Sequence, residues 1–398
     1  MEPLRRQHNT QWYHETQSSV YSGNLLEPGA ATIRDRFLQG FGALADETLN
    51  AALTARAGVF DASLACYHRL FPKRVVLSRK VTLSLYDRLS TALTVAQVTG
   101  IQPLCSHYAA RLAPLDSPEA SRKSNIRLAQ ITQYARQLAT HPTQITPQAL
   151  QQLVDVELST EDIVTFSQII GFVSYQARVI AGIAALAGRP AVVVPGFPVV
   201  DDAEALGAAE QPQVWQARLP EITLEAAAAE QLDVLDQSHP EARNDAYYRL
   251  LAHDAAALRE RNGVFNQINA GDYGLPAELK ALAALVVSRI NGSAYCVASL
   301  IPQVADATLT HALLESVNTA QSTAEPLAQA VIATAAELTR SPEKFTPQSV
   351  QPLFNIGLSQ AQVLEVILSS ALYGWENRLR HSLGDFAPLA GAEESVLQ

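Results

Sequence analysis

The chain has 398 residues, 48% hydrophobic and 17% charged, which suits a compact globular protein with room for two cores and excludes a disordered chain. Acidic residues outnumber basic ones by 39 to 29, giving a net charge of −10 and a pI near 5.4, which argues against nucleic acid as a partner. Three cysteines, Cys66, Cys105 and Cys296, are too few for a disulfide framework, and their spacing matches no metal site, so no metal or other cofactor is expected.

In chain order, an N-terminal arm occupies residues 1–40. Its first 19 residues contain no apolar run that would direct secretion, and a cytoplasmic location is expected. A helical region follows over 41–188. The densest basic stretch, "FPKRVVLSRK" (71–80), has no aromatics between its charges to stack on bases and is expected to be a solvated loop. Further on, "RLSTALTVAQVTGIQPLCSHYAARL" (88–112) spaces its apolar residues by three and four up to Gly100, which predicts a helix that ends there. The most apolar long stretch, 163–188, is interrupted by Gln168, Gln176 and Arg178. That pattern predicts a buried core helix rather than a membrane span.

A linker containing proline and acidic residues is expected over 189–222. "AVVVPGFPVV" (191–200) is the only β-like run, and its two prolines favour an extended connection over a strand. A second helical region is expected over 223–388, with "EARNDAYYRLLAHDAAALRERNGVFNQI" (241–268) as one long amphipathic helix burying Tyr247, Leu250, Leu251 and Leu258. Residues 389–398 form a short tail.

The two helical regions carry the same punctuation. "THPTQITPQALQQLVDVELSTEDIV" (140–164) aligns without a gap to "RSPEKFTPQSVQPLFNIGLSQAQVL" (340–364) at an offset of 200. In each, a threonine (Thr146 or Thr346) precedes a proline at the first helical position, where the missing N–H has no consequence. Ser159 with Asp162, and Ser359 with Gln362, then predict capping boxes one helix later. Upstream, 88–112 matches 280–304 at an offset of 192, with Gly100 opposite Gly292, so the second region carries eight extra residues between the blocks. Tyr175 and Arg178 fall opposite Trp375 and Arg378. The expected fold is all-α: two tandem helical repeats joined by an extended linker.

The second region, "ALAALVVSRINGSAYCVASL" followed by "LTRSPEKFTPQSVQPLFNIGLSQAQVLEVILSSALYGWENRL", resembles the AhpD-like superfamily, which includes the carboxymuconolactone decarboxylases, and is most similar to its peroxidase-related branch. The first region looks like the carboxymuconolactone decarboxylase-type domain that accompanies it in two-domain members. The resemblance covers nearly all of both regions and implies an all-α fold, symmetric homo-oligomers, and thiol peroxidase chemistry on the pattern E-x11-C-x2-C-x3-H. Two cysteines one helical turn apart can close a disulfide, while the glutamate and histidine relay protons to the leaving hydroxyl.

Carried onto this chain, the glutamate falls on Ala281, the first cysteine on Ser293, the second on Cys296 and the histidine on Leu300. In the first region the same positions hold Leu89, Ile101, Leu104 and Tyr108, and Cys105 and His107 lie one residue out of register, about 100° away on a helix. Serine is a poor nucleophile and cannot close a disulfide, so peroxide turnover by the family mechanism is not expected. Cys296 then reads as a small buried hydrophobe and Ser293 as a helix cap.

Two enzymatic alternatives remain. One is a single-cysteine thiol oxidoreductase or peroxidase, which needs Cys296 exposed and ionised and takes its second thiol from a small molecule. The other is acid/base chemistry of the lactone-decarboxylase kind, which needs His107 or another histidine in a pocket near a carboxylate or arginine. His68 and His253 read as ordinary hydrogen-bonded histidines. Arg178 and Arg378, on apolar helices, need a buried or interfacial anion partner and read first as salt-bridge residues, secondly as the lining of a pocket for an acidic ligand.

The apolar stretches 163–188 and 363–379 exceed what one repeat is expected to cover, a further reason to expect a homo-oligomer. Finally, Met1 is the only methionine. Either a GC-rich genome (24 Arg against 5 Lys) or economy of sulfur would produce that composition, and the second suggests a role in thiol or sulfur metabolism.

Overall fold

The computed structural model describes residues 36–191, 200–271 and 273–389. Most of the expected N-terminal arm and tail, and residues 192–199 of the expected linker, lie outside the described residues. The protein is built almost wholly of helices. The first region runs α1 (Glu47–Ala55), α2 (Ala57–Leu70), α3 (Leu85–Thr99), α4 (Gln102–Leu112), α5 (Arg122–Thr140), α6 (Pro147–Asp155) and α7 (Thr160–Leu186). The second runs α8 (Ala229–Ser238), α9 (Ala246–Leu251), α10 (Ala255–Asn269), α11 (Ala277–Ile290), α12 (Ala294–Leu300), α13 (Ala307–Glu315), α14 (Val317–Thr323), α15 (Pro326–Arg340), α16 (Pro347–Asn355) and α17 (Gln360–Leu383).

The predicted punctuation holds these elements in place. Ser159 accepts from the Asp162 N–H while Asp162 accepts from the Ser159 N–H, and Ser359 and Gln362 do the same two hundred residues later. Gly100 (φ +70°) and Gly292 (φ +73°) both take the left-handed conformation that ends α3 and α11. A Cβ at 292 would also sit 2.4 Å from Thr143 and 2.7 Å from Ala203, so that turn has no room for a side chain.

The centre of the molecule is the packing of α7 against α17. By length and composition α7 could cross a membrane, yet 94% of its most apolar stretch is buried inside the protein. The two helices come close because glycines stand where side chains would collide: a Cβ at Gly171 would lie 2.1 Å from Trp375, and one at Gly182 would lie 2.3 Å from Ile367. The apolar surface that suggested an oligomer is therefore covered within one chain.

The polar interruptions of α7 have defined partners. Gln168 accepts from the Trp375 indole at 3.1 Å. Gln176 accepts from the Tyr108 hydroxyl at 2.7 Å and donates to the Phe37 carbonyl at 2.8 Å.

Arg178 and Arg378 differ from expectation. Both are buried, and neither forms an ion pair among the described residues. Arg178 donates to Ser174 O (3.0 Å) and, across the helix pair, to Thr339 O (2.8 Å); Arg378 donates to Gly374 O (2.7 Å) and Ala139 O (2.5 Å). Ala139 and Thr339 lie in the last turns of α5 and α15, whose end carbonyls have no partner within their own helix and carry the negative end of the helix dipole. Each guanidinium thus meets the dipolar charge of a helix end, and Arg178 also feels the buried Glu343 carboxylate, with which it makes no ion pair. The exchange is reciprocal, the arginine of each region capping a helix of the other.

Two local expectations are corrected. The stretch 241–268 is not one helix: a 3-10 turn at Ala252–Asp254 separates α9 from α10, and Asp254 caps α10 by accepting from the Ala257 N–H at 3.1 Å. The expected linker also contains a strand. β1 (Gln213–Ala217) pairs antiparallel with β2 (Gly384–Pro388), which continues directly from α17. Trp215 on β1 is buried and donates to Arg380 O at 3.1 Å.

Candidate functional site

The place where the family pattern falls is the junction of α11 and α12, covered by α17. Ser293 and Cys296 bracket the first turn of α12, while α17 presents Tyr373, Glu376, Asn377 and Arg380 to them. Cys296 is 3% exposed. Burial, and next the negative charge of Glu376, push its thiol up to about 11, against the opposing effect of Arg380, the Ser293 hydroxyl and the Asn377 amide. The sulfur is therefore a protonated thiol at neutral pH.

Ser293 occupies the N-cap position without capping the helix through its side chain, and its buried hydroxyl has no hydrogen-bond partner among the described residues. Ala281 and Leu300, where the family relay would stand, are buried in the aliphatic core. Neither can move a proton.

Beside the thiol lies a charge cluster not anticipated from the sequence. One Glu376 oxygen accepts from Arg380 Nε at 2.8 Å, and the other accepts from the Tyr247 hydroxyl at 2.8 Å and from Arg261. Burial alone would raise the Glu376 carboxyl. The charges of Arg261 and then Arg380, with hydrogen bonds from Arg380 and Tyr247, outweigh it and bring the group down to about 2. The Arg380 guanidinium lies over the rings of Tyr247 (3.5 Å) and Tyr295 (4.3 Å), and Arg261 over Phe265 (3.7 Å).

Two guanidiniums against one carboxylate leave one excess positive charge, and Arg380 Nη1 is buried without a hydrogen-bond partner among the described residues. Glu376 and Arg380 are four apart on an apolar helix, the i,i+4 spacing of an ion pair, and that was the available sequence signal. Arg261, from α10, could not be assigned to the cluster by spacing.

His107 sits elsewhere, on α4. It is buried, and its Nε2 lies 2.7 Å from the Tyr67 hydroxyl, which also accepts from Arg111 Nη1 at 2.7 Å. Burial, then the charges of Arg111 and Arg36, lower the imidazole to about 3, so it is neutral. Arg111 donates to the Tyr67 hydroxyl, and in the tautomer protonated on Nδ1 the Tyr67 O–H donates on to His107 Nε2. The sites of His107 and Cys296 are separate, and Arg178 and Arg378 belong to neither. His253 bonds Pro220 O at 2.8 Å, the ordinary role expected of it.

All three cysteines are buried and none is in a disulfide, and no cluster of three or more metal-ligating side chains occurs among the described residues. The sequence matches no protein-family model and no curated protein, which leaves the geometry around Cys296 and His107 to carry the functional assignment.

Proposed function

We propose that this is an AhpD-like protein, peroxidase-related in ancestry, whose thiol site no longer turns over peroxide and whose role lies in binding or assembly near thiol or sulfur metabolism. One observation carries the proposal: Cys296 is sealed and protonated, with apolar Ala281 and Leu300 where an acid/base relay is required. A one-cysteine peroxidase needs an accessible thiolate, and burial opposes both halves of that requirement. The two helical regions are read as tandem copies of one unit. Support comes from capping boxes recurring at the same offset and from the reciprocal capping by Arg178 and Arg378, an arrangement of the isologous kind found in two-fold dimers. The reading as a cytoplasmic homo-oligomer rests on the resemblance alone, since α7 and α17 cover each other within one chain, and light scattering at micromolar concentration tests the oligomer directly.

The decisive assay is peroxide consumption with a dithiol reductant. Background rates are expected, unchanged by Cys296→Ser. Turnover that Cys296→Ser abolishes would restore the one-cysteine enzyme. Induction of the protein under sulfate limitation, in an organism whose other helical proteins are not equally poor in methionine, is the expected sign of the sulfur link.

A further inference from the structure

We infer that Arg36 and Arg111, which converge on Tyr67 beside His107, form with Lys73, near His68, a binding site for a small oxyanion, the carboxylate or phosphate group of a metabolite-sized ligand. The inference is independent of the fate of the thiol site.

The charge pattern is the first support. The chain carries −10 overall, and the arginines around Glu365 and Glu376 (Arg56, Arg261, Arg380) each have a carboxylate, as Arg69 has Asp254. Among the described residues Arg36, Lys73 and Arg111 have no ion-pair partner. A carboxylate-free group of cations on an acidic protein is the field that draws and holds an anion.

Geometry is the second. Arg111 is fixed by its bonds to the Tyr67 hydroxyl (2.7 Å) and to Phe71 O (3.1 Å). Arg36 is also a hydrogen-bond partner of Tyr67, and its backbone is held by Gln176, which reaches from α7 to the carbonyls of Arg36 (3.2 Å) and Phe37 (2.8 Å). Two guanidiniums converging on one phenol from separately anchored segments are pre-positioned donors, and guanidinium forks match carboxylate and phosphate oxygens. Lys73, exposed on the basic stretch 71–80, adds a charge at the rim, where it acts on the exposed His68.

The third is the state of the two histidines. After burial, the charges of Arg36 and Arg111 are what hold His68 and His107 down, with Lys73 adding to the effect on His68. Among the described residues no carboxylate contributes to either shift. An oxyanion placed among these groups would relieve the repulsion between the cations and favour protonation of His68.

Isothermal titration of the full-length protein at low ionic strength, with inorganic phosphate in one arm and succinate in the other, tests the site. Saturable binding of at least one anion is expected, and the arm that binds more tightly identifies the oxyanion. Arg36→Gln and Arg111→Gln should each weaken binding about tenfold or more, the usual effect of losing a charge-assisted bond. Lys73→Gln should weaken it less, and Cys296→Ser should leave it unchanged. The His68 ring-proton resonance should move on titration in the parent protein. If Arg111→Gln does not fold, the half-buried Arg36 and exposed Lys73 variants carry the decision. No saturable binding in either arm, or parental affinity in the soluble arginine variants, would overturn the site.

Discussion

Position 176 in the first region and position 376 in the second lie at the same place on the two central helices, and they hold glutamine and glutamate. Gln176 is satisfied by neutral groups, a tyrosine hydroxyl and backbone carbonyls. Glu376 also takes a tyrosine hydroxyl, but its charge requires Arg261 and Arg380 as well. Two residues along, Arg178 and Arg378 make matching hydrogen bonds, each capping a helix of the opposite region, while only Arg178 also feels a carboxylate, that of Glu343. One substitution of amide for carboxylate therefore accompanies a different set of neighbours: an ion cluster beside Cys296 in one region, and an uncharged anchor for the segment bearing Arg36 in the other. The lesson is that a buried charge is a commitment made by several residues at once, whereas a buried amide constrains only its nearest neighbours.

Exchanging the two residues is the strongest way to break this contrast. Glu376→Gln leaves two buried guanidiniums without a counter-charge and should destabilise by roughly 3–5 kcal/mol, read as a shift of the urea midpoint at constant slope. Gln176→Glu buries a carboxylate with no cation in place and should also destabilise strongly. A loss under about 1 kcal/mol for both would show that the two environments are interchangeable, contrary to the expected penalty for an unpaired buried charge.

The pH dependence separates the exchanges. Glu376 is depressed to about 2, so its contribution is complete above the unfolded carboxyl value of about 4.3 and is lost as pH falls through the folded value. His107 and His381 are held neutral, at about 3 and about 4, chiefly by burial. The unfolded chain protonates them first below about pH 6.5, which also lowers stability as pH falls. The parent protein should therefore lose stability steadily from about pH 6.5 downward. The Gln176→Glu penalty should run the other way, since its carboxyl would be raised, and should grow as pH rises above about 4.3. Urea midpoints at pH 4.5 and pH 7.5 test both slopes.

The matched arginines sharpen the comparison from the side of similarity. Arg178→Lys and Arg378→Lys should each cost about 1–3 kcal/mol, because lysine cannot reach both carbonyls at once, and the two losses should agree closely. A large inequality would mean that the reciprocity is only geometric. The smallest effect is expected at Cys296. Cys296→Ser should change stability by about 1 kcal/mol, and in the parent all three thiols should resist a thiol-labelling reagent until urea unfolds the chain.

Much of the fold was legible because helix ends are written locally. Thr146-Pro147, Ser159, Ser359 and the two glycines at 100 and 292 each state their role within four residues. The break at Asp254 was equally local and was overlooked, because the apolar spacing of 241–268 continues across it. Long-range partners were not legible. The sequence called for an anion opposite Arg178 and Arg378, yet backbone carbonyls, present at every residue, leave no mark in composition. β1 was hidden for a related reason: five residues alternate too briefly to register, and their partner lies beyond α17. At the candidate site, the absence of a relay could be read from Ala281 and Leu300, but the burial of Cys296 by Glu376 and its arginines required three dimensions.

The reciprocal capping also bears on how the protein is made. Helix α7 finds its cover in α17, about 200 residues later, and the α5 carbonyl that Arg378 satisfies waits equally long. At roughly 5–20 residues per second, a ribosome needs on the order of 10–40 s to supply the missing half. During that interval the most apolar helix of the chain can pack on the first region, with Phe166 against Tyr134 and Phe172 against Phe71, but the face that α17 covers stays bare. The first region is thus a nascent client, dependent on slow docking or on a chaperone, and the moment of greatest aggregation risk falls midway through synthesis rather than after release.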